Sequence, residues 1–291
     1  MPTPLAQTPT PARGFVQRTF TDALVLSGFM DENHFAAFAN EHLATLSEPE
    51  REAAKAAAAR TRAAVPDLQV VPLDDVVARP AADAYLEALM AKPAFAQVFG
   101  GRPYRFAWIN PAHVVAIQVF VTPRQDPVPT GAAELLRFML PDRWEVPAEI
   151  SFIPPLGPIQ IVTSSPQLGG LQARLEADGA RIVIEPAPHI NLVQVMHFSG
   201  RYYLRNGYHR VFDAIRTGIA EIPAIVVDAL QPADLELNLG NAAFNVGYTI
   251  GLARPPLVAD FATPAAHVTR IRVRRYGVSV TLQVSPLNVG I

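Results

Sequence analysis

The residues of this sequence best suited to chemistry are Asn206-Gly207-Tyr208-His209-Arg210, set between a strand-like and a helix-like pattern. Glycine permits positive φ and lets a ligand approach the backbone closely. A helix beginning here turns its unpaired N–H groups back toward the turn, where they and the helix dipole attract anions. His209 and Arg210 add side-chain donors of the sign a phosphate requires. Asn206, Gly207, His209 and Arg210 are therefore the candidate phosphate-binding residues. Each also has a structural reading. Asn-Gly is a common turn, His209 can cap the helix or bond a carbonyl, and Arg210 can pair with Asp213 or Glu221. Tyr208 reads as packing.

The elements that must position this turn are legible around it. Residues 192–197 form a strand pattern, Ser199-Gly200 signals a turn, and residues 202–205 return as the second arm of a hairpin. The spacing predicts a helix over about residues 209–217, with Val211, Phe212 and Ile215 on its buried face and Gly218 as terminator. A strand over residues 224–227 follows.

The run of about 28 residues from 200 to 227, roughly a tenth of the chain, resembles the core of the ParB/sulfiredoxin superfamily. That core has a strand, a Gly-x-x-Arg turn, a helix with Ala and Gly, and an Ile/Val-Pro-Ala/Val strand. Here these are Gly207 to Arg210, Ala214, Gly218 and Ile222-Pro223-Ala224. The departures decide which activities the resemblance implies. ParB-type DNA clamps carry Gly-Glu-Arg-Arg, of which only Gly207 and Arg210 match. No helix-turn-helix is visible after the core. Sulfiredoxins carry Gly-Cys-His-Arg, whereas Tyr208 stands in the cysteine position and the chain has no cysteine, which excludes sulfinic-acid repair. Nucleotide-dependent small-molecule kinases of the superfamily use Gly-x-His-Arg with an upstream carboxylate as base, for which Glu185 and Glu149 are the candidates. The resemblance thus implies a nucleotide or other phosphate-bearing ligand, with a magnesium nucleotide as the candidate cofactor. The implied activity is that of a phosphotransferase or nucleotide hydrolase. The alternative is a non-enzymatic structural or protein-interaction protein that keeps the core as a scaffold. A DNA-binding regulator is the second alternative.

Beyond this core the chain reads as an α+β protein. Its 291 residues are 50% hydrophobic and 17% charged, enough apolar material for a large core. Residues 1–14 read as a flexible proline-rich tail, 15–101 as a helical region, 102–228 as the ParB/sulfiredoxin-like α/β core, and 229–291 as a β-rich extension. Within the helical region, helices are expected over 31–46, 48–64 and 81–99. Residues 114–122 read as one buried strand, 132–140 as a short helix, 167–178 as a helix and 181–185 as a strand. Residues 269–274 and 278–284 read as an arginine-bearing hairpin around Tyr276-Gly277.

The net charge of −2 argues against a general nucleic-acid binder. The arginines at 270, 272, 274 and 275 suit a nucleic acid, an acidic partner, another subunit or a solvated edge. Seven histidines are present, yet none has metal-ligand spacing, so no metal site is expected. His189 and His197 lie on segments that can approach the His209 turn. The N-terminus lacks the apolar stretch of a signal peptide, and no apolar run approaches membrane-spanning length. A soluble, cytoplasmic protein without membrane contact is expected, and the apolar stretch over 252–262 suits a homo-oligomer or protein partner.

Overall fold

The computed structural model describes residues 20–99, 101–123, 127–142, 149–152, 159–163, 171–175, 182–186, 191–235, 240–272 and 276–280. In chain order the elements are β1 (Phe20–Val25), α1 (Glu32–His42), α2 (Glu48–Ala64), β2 (Val77–Pro80), α3 (Ala84–Met90), α4 (Pro93–Phe99), β3 (Tyr104–Ile109), β4 (Val115–Ala116) and β5 (Phe120–Val121). They continue with α5 (Ala132–Met139), β6 (Glu149–Phe152), β7 (Ile159–Thr163), β8 (Leu171–Leu175), β9 (Ile182–Pro186), β10 (Gln194–Phe198), β11 (Arg201–Asn206), α6 (Tyr208–Arg216), β12 (Ile222–Asp228), α7 (Val246–Gly251), β13 (His267–Arg272) and β14 (Tyr276–Val280). The fold is α+β, as the sequence leads one to expect.

The main sheet has the order β2-β3-β12-β10-β11-β4. β10 and β11 form the expected antiparallel hairpin, and β12 lies parallel to β10 on its other side. β12 is buried along residues 222–227, which suits a strand with neighbours on both flanks. Its proline is tolerated because pairing with β10 starts only at Ile225, two residues beyond Pro223. α6 joins β11 to β12. Its C-terminus is closed by Gly218 at φ 78°, with Gly218 N–H donating to Ile215 and Ile219 N–H to Ala214, the 5→2 and 6→1 bonds of a Schellman motif.

A second sheet, β13-β1-β5, ties together parts of the chain that sequence patterning separates. β1, inside the region read as helical, pairs along its whole length with β13 and at Leu24 and Val25 with β5. β2, in the same region, joins the main sheet beside β3. One continuous buried cluster runs through all three segments, from Ala23 and Val25 through Ile225 and Val226 to Phe261 and Ile271. The boundaries drawn at 101 and 228 are therefore not boundaries of packing.

Three further expectations are corrected. The run read as one strand over 114–122 divides: β4 pairs with β11 in the main sheet, and β5 pairs with β1 in the other. Residues 171–175, read as helix, form β8 paired with β9, because Leu171, Ala173 and Leu175 alternate with Gln172 and Arg174. Among the described residues the two arms read as a C-terminal hairpin pair elsewhere: β13 with β1, and β14 with β7. The described part of the extension before β13 consists of 3₁₀ turns and α7 rather than strands.

Candidate functional site

Gly207 is the N-cap of α6 and lies in the left-handed region at φ 95°. Asn206 Oδ1 accepts from the Gly207 N–H at 2.8 Å, a local bond that fixes the turn. A side chain at Gly207 would meet Val193 Cγ2 at 2.7 Å and Val193 Cα at 3.2 Å. The glycine is thus required twice, by its conformation and by the approach of the segment leading into β10.

Tyr208 is buried and its hydroxyl forms a three-way clamp. It accepts from the N–H groups of Ile117 and Gln118 at 2.8 and 3.1 Å and donates to the Leu204 carbonyl at 2.6 Å. Ile117 and Gln118 lie between β4 and β5, where the chain leaves one sheet for the other. Burial pushes the phenol far above its ordinary range, against the smaller effect of the two amide donors. It remains a proton donor and does not act as a phenolate.

His209 accepts the Thr122 N–H on Nδ1 at 3.0 Å, with Thr122 Oγ1 at 3.1 Å. Accepting from an amide requires an unprotonated Nδ1, so the neutral ring carries its proton on Nε2.

Arg210 is only 5% exposed. One terminal nitrogen donates to Phe138 and Met139 carbonyls at 2.9 and 3.0 Å, and the other to the carbonyl and side-chain oxygen of Asn191, both at 2.9 Å. Phe138 and Met139 end α5, where carbonyls lack intrahelical partners and the helix dipole is negative. A planar fork suits this pair of acceptors. The sequence offers Arg210 a phosphate, Asp213 or Glu221. The structure gives it the end of α5 instead, while Asp213 pairs with Arg216 and Glu221 with Arg79.

Of the remaining candidates, His197 is the one whose side chain is described, and it does not reach this turn. His197 lies at the Tyr202 end of the β10–β11 hairpin, whereas the turn follows the Gln194–Asn206 end, about 10 Å away along the strand. Its Nδ1 is 3.0 Å from Asp228 Oδ1, and Arg105 donates to both Asp228 oxygens at 3.2 and 3.4 Å. Partial burial raises the Asp228 pKa, but the bonds from His197 and Arg105 outweigh it and hold the carboxyl below its ordinary range. Glu149 lies in β6 and Glu185 in β9, neither of them a strand of the main sheet. Their side chains, His189 and the segment from 164 to 170 lie outside the described residues. Among the described residues no three His, Asp or Glu side chains group as metal ligands, and no helix is long and apolar enough to cross a membrane.

A concavity that the sequence does not announce lies between α1 and the segment around 240–248. Its volume is about 670 Å³, and it is lined by Phe29, Asp31, His34, Asn241, Phe244 and Tyr248, among others. The chain separation of these residues hides the site. The only local signals are the helix caps, Asp31 accepting from His34 N–H and Asn245 from Tyr248 N–H.

The elements define an α+β protein whose Gly207 turn is a junction between helix α6, the end of α5 and the crossover between the two sheets. No family model, curated protein or solved structure matches the chain.

Proposed function

We propose that this chain is a non-enzymatic structural or protein-interaction protein in which the ParB/sulfiredoxin-like core serves as scaffold. One observation carries this reading. The Arg210 guanidinium, the group best able to recognise phosphate, is buried and bonded to four oxygens of the chain itself. Tyr208 and His209 are committed to main-chain groups in the same way. A residue that ties α6 to α5 is removed at a cost to folding, and a ligand would have to displace those bonds to reach it.

The second reading is a nucleotide or phosphate site using Asn206, Gly207, His209 and Arg210, with phosphotransfer or nucleotide hydrolysis as the activity. The strand, left-handed glycine and nine-residue helix of this turn favour it. Thermal unfolding with ATP, GTP and CTP, each with magnesium, and with inorganic phosphate separates the two. The scaffold reading expects unchanged midpoints. It expects Arg210→Lys to lose on the order of 2–4 kcal/mol with or without nucleotide, because lysine cannot span the acceptors. A saturable rise for the wild type, about 2.7 kcal/mol at one hundred times the dissociation constant, that His209→Ala removes would establish the phosphate site instead.

A further inference from the structure

We infer that the cleft between α1 and the 240–248 segment binds a small organic cation, an alkylammonium or guanidinium group carried on an apolar stem. This goes beyond the scaffold reading and holds whichever role the Gly207 turn has. The cleft, at about 670 Å³, falls within the range of small-molecule sites.

Its chemistry is one-sided. Phe29 and Phe244 meet edge to face at 6.5 Å, and both are almost fully buried. The His34 and Phe244 rings meet nearly at right angles, their centroids 5.7 Å apart. Tyr248, half exposed, adds a further aromatic wall. Tyr248 is the broadly exposed ring of the set, and an exposed aromatic face attracts cations through its quadrupole. Among the described residues none that lines the cleft is Lys or Arg. Arg254, 5.8 Å from the Phe29 ring, is held by Asp260 through bonds of 2.9 and 2.7 Å and does not line the cleft.

Among the described lining residues the polar side carries one carboxylate, Asp31, and amide oxygens that accept. Asp31 uses one oxygen to cap α1 through the His34 N–H, and among the described residues its other oxygen has no partner. One side-chain N–H of Asn241 donates to Glu41, at 2.9 Å, and its Oδ1 has no partner among the described residues. Glu41 places a second carboxylate behind it. A ligand that only donates, with positive charge, complements this set, and a phosphate does not. The walls are also cross-linked. His34 Nε2 is 3.2 Å from the Asn241 main-chain carbonyl oxygen, and the Asn241–Glu41 bond lies a short way along, so little ordering is required on binding.

Calorimetric titration of the full chain with agmatine and butylammonium tests the inference, with 1-butanol as the neutral counterpart and inorganic phosphate as the anion. Asp31→Asn is the informative variant, because asparagine caps a helix as well as aspartate does. Unchanged circular dichroism and melting midpoint would verify that it folds. The expected result is saturable binding of at least one cation, no binding of 1-butanol or phosphate, and at least tenfold weaker binding in both Asp31→Asn and Tyr248→Ala. An arginine-containing tetrapeptide that binds tighter than agmatine, and still depends on Asp31, would support the inference and assign the cation to a partner's side chain. Absence of binding by both cations, equal binding of 1-butanol, or wild-type affinity in Asp31→Asn would overturn it.

Discussion

The Tyr208 hydroxyl bonds to three main-chain groups at the point where the chain crosses between sheets. Replacing it with phenylalanine keeps the packed ring and leaves one buried N–H, one part-buried N–H and one carbonyl to find other partners. The expected loss is about 2–4 kcal/mol in urea unfolding, with faster hydrogen exchange at the Ile117 and Gln118 amides. A change below 0.5 kcal/mol would mean that the clamp is dispensable. At this scale the sequence was only partly legible. The left-handed turn at Gly207 could be read, since Asn-Gly before a helix has few other conformations. The direction of Arg210 could not. Its side chain follows the position of the α5 carbonyls, about seventy residues away in the chain.

At the scale of elements, local pattern was a good guide where an element carries its own signal. The β10–β11 hairpin, α6, α1 and α2 follow from turn residues, caps and apolar spacing. It failed for β1, a six-residue strand at the edge of a helical region, and for the C-terminal hairpin, whose two strands each found a distant partner. An alternating strand specifies which face is buried but not which neighbour it pairs with. β1 is the middle strand of its sheet, so proline at Leu24 should remove ladder bonding and cost at least ~3 kcal/mol. Because β1 shares its core with the main sheet, far-ultraviolet circular dichroism and Trp108 fluorescence, read in a Trp144→Phe background, should fall together, in one transition at lower denaturant. Loss of helical signal with Trp108 unaffected would restore an independent N-terminal helical domain.

Over the whole molecule, one buried polar chain joins the N-terminal region to the C-terminal strand. Ser27 Oγ lies 2.8 Å from Thr61 Oγ1 and 2.7 Å from His267 Nδ1, and Thr61 donates to the Ala58 carbonyl. His267 Nε2 is buried without a hydrogen-bond partner among the described residues. Burial, and then the nearby charge of Arg60, push the His267 pKa down from 6.5 to about 4. The unfolded chain takes up a proton near pH 6.5 that the folded chain refuses until about pH 4. This contribution is therefore complete above pH 6.5 and is lost as pH falls toward 4, by on the order of 3 kcal/mol. His267→Asn keeps a polar atom for Ser27 and removes the titration, so its stability should fall less steeply between those pH values. Parallel wild-type and variant curves would refute the assignment.

By itself, the sequence determined that the chain has enough apolar residues for a large core, that cysteine chemistry is absent, and that a glycine turn feeds a helix at 207. These follow from composition and from interactions within a few residues. Only the tertiary structure decided that β1 and β13 share a sheet, that Arg210 caps α5, and that Asp31, Asn241 and Tyr248 surround one cleft. Each of these is a meeting between segments far apart in the chain, set by which buried surfaces and unpaired main-chain groups satisfy one another. The Gly207 turn belongs to both accounts: its conformation is local, and the direction its side chains take is not.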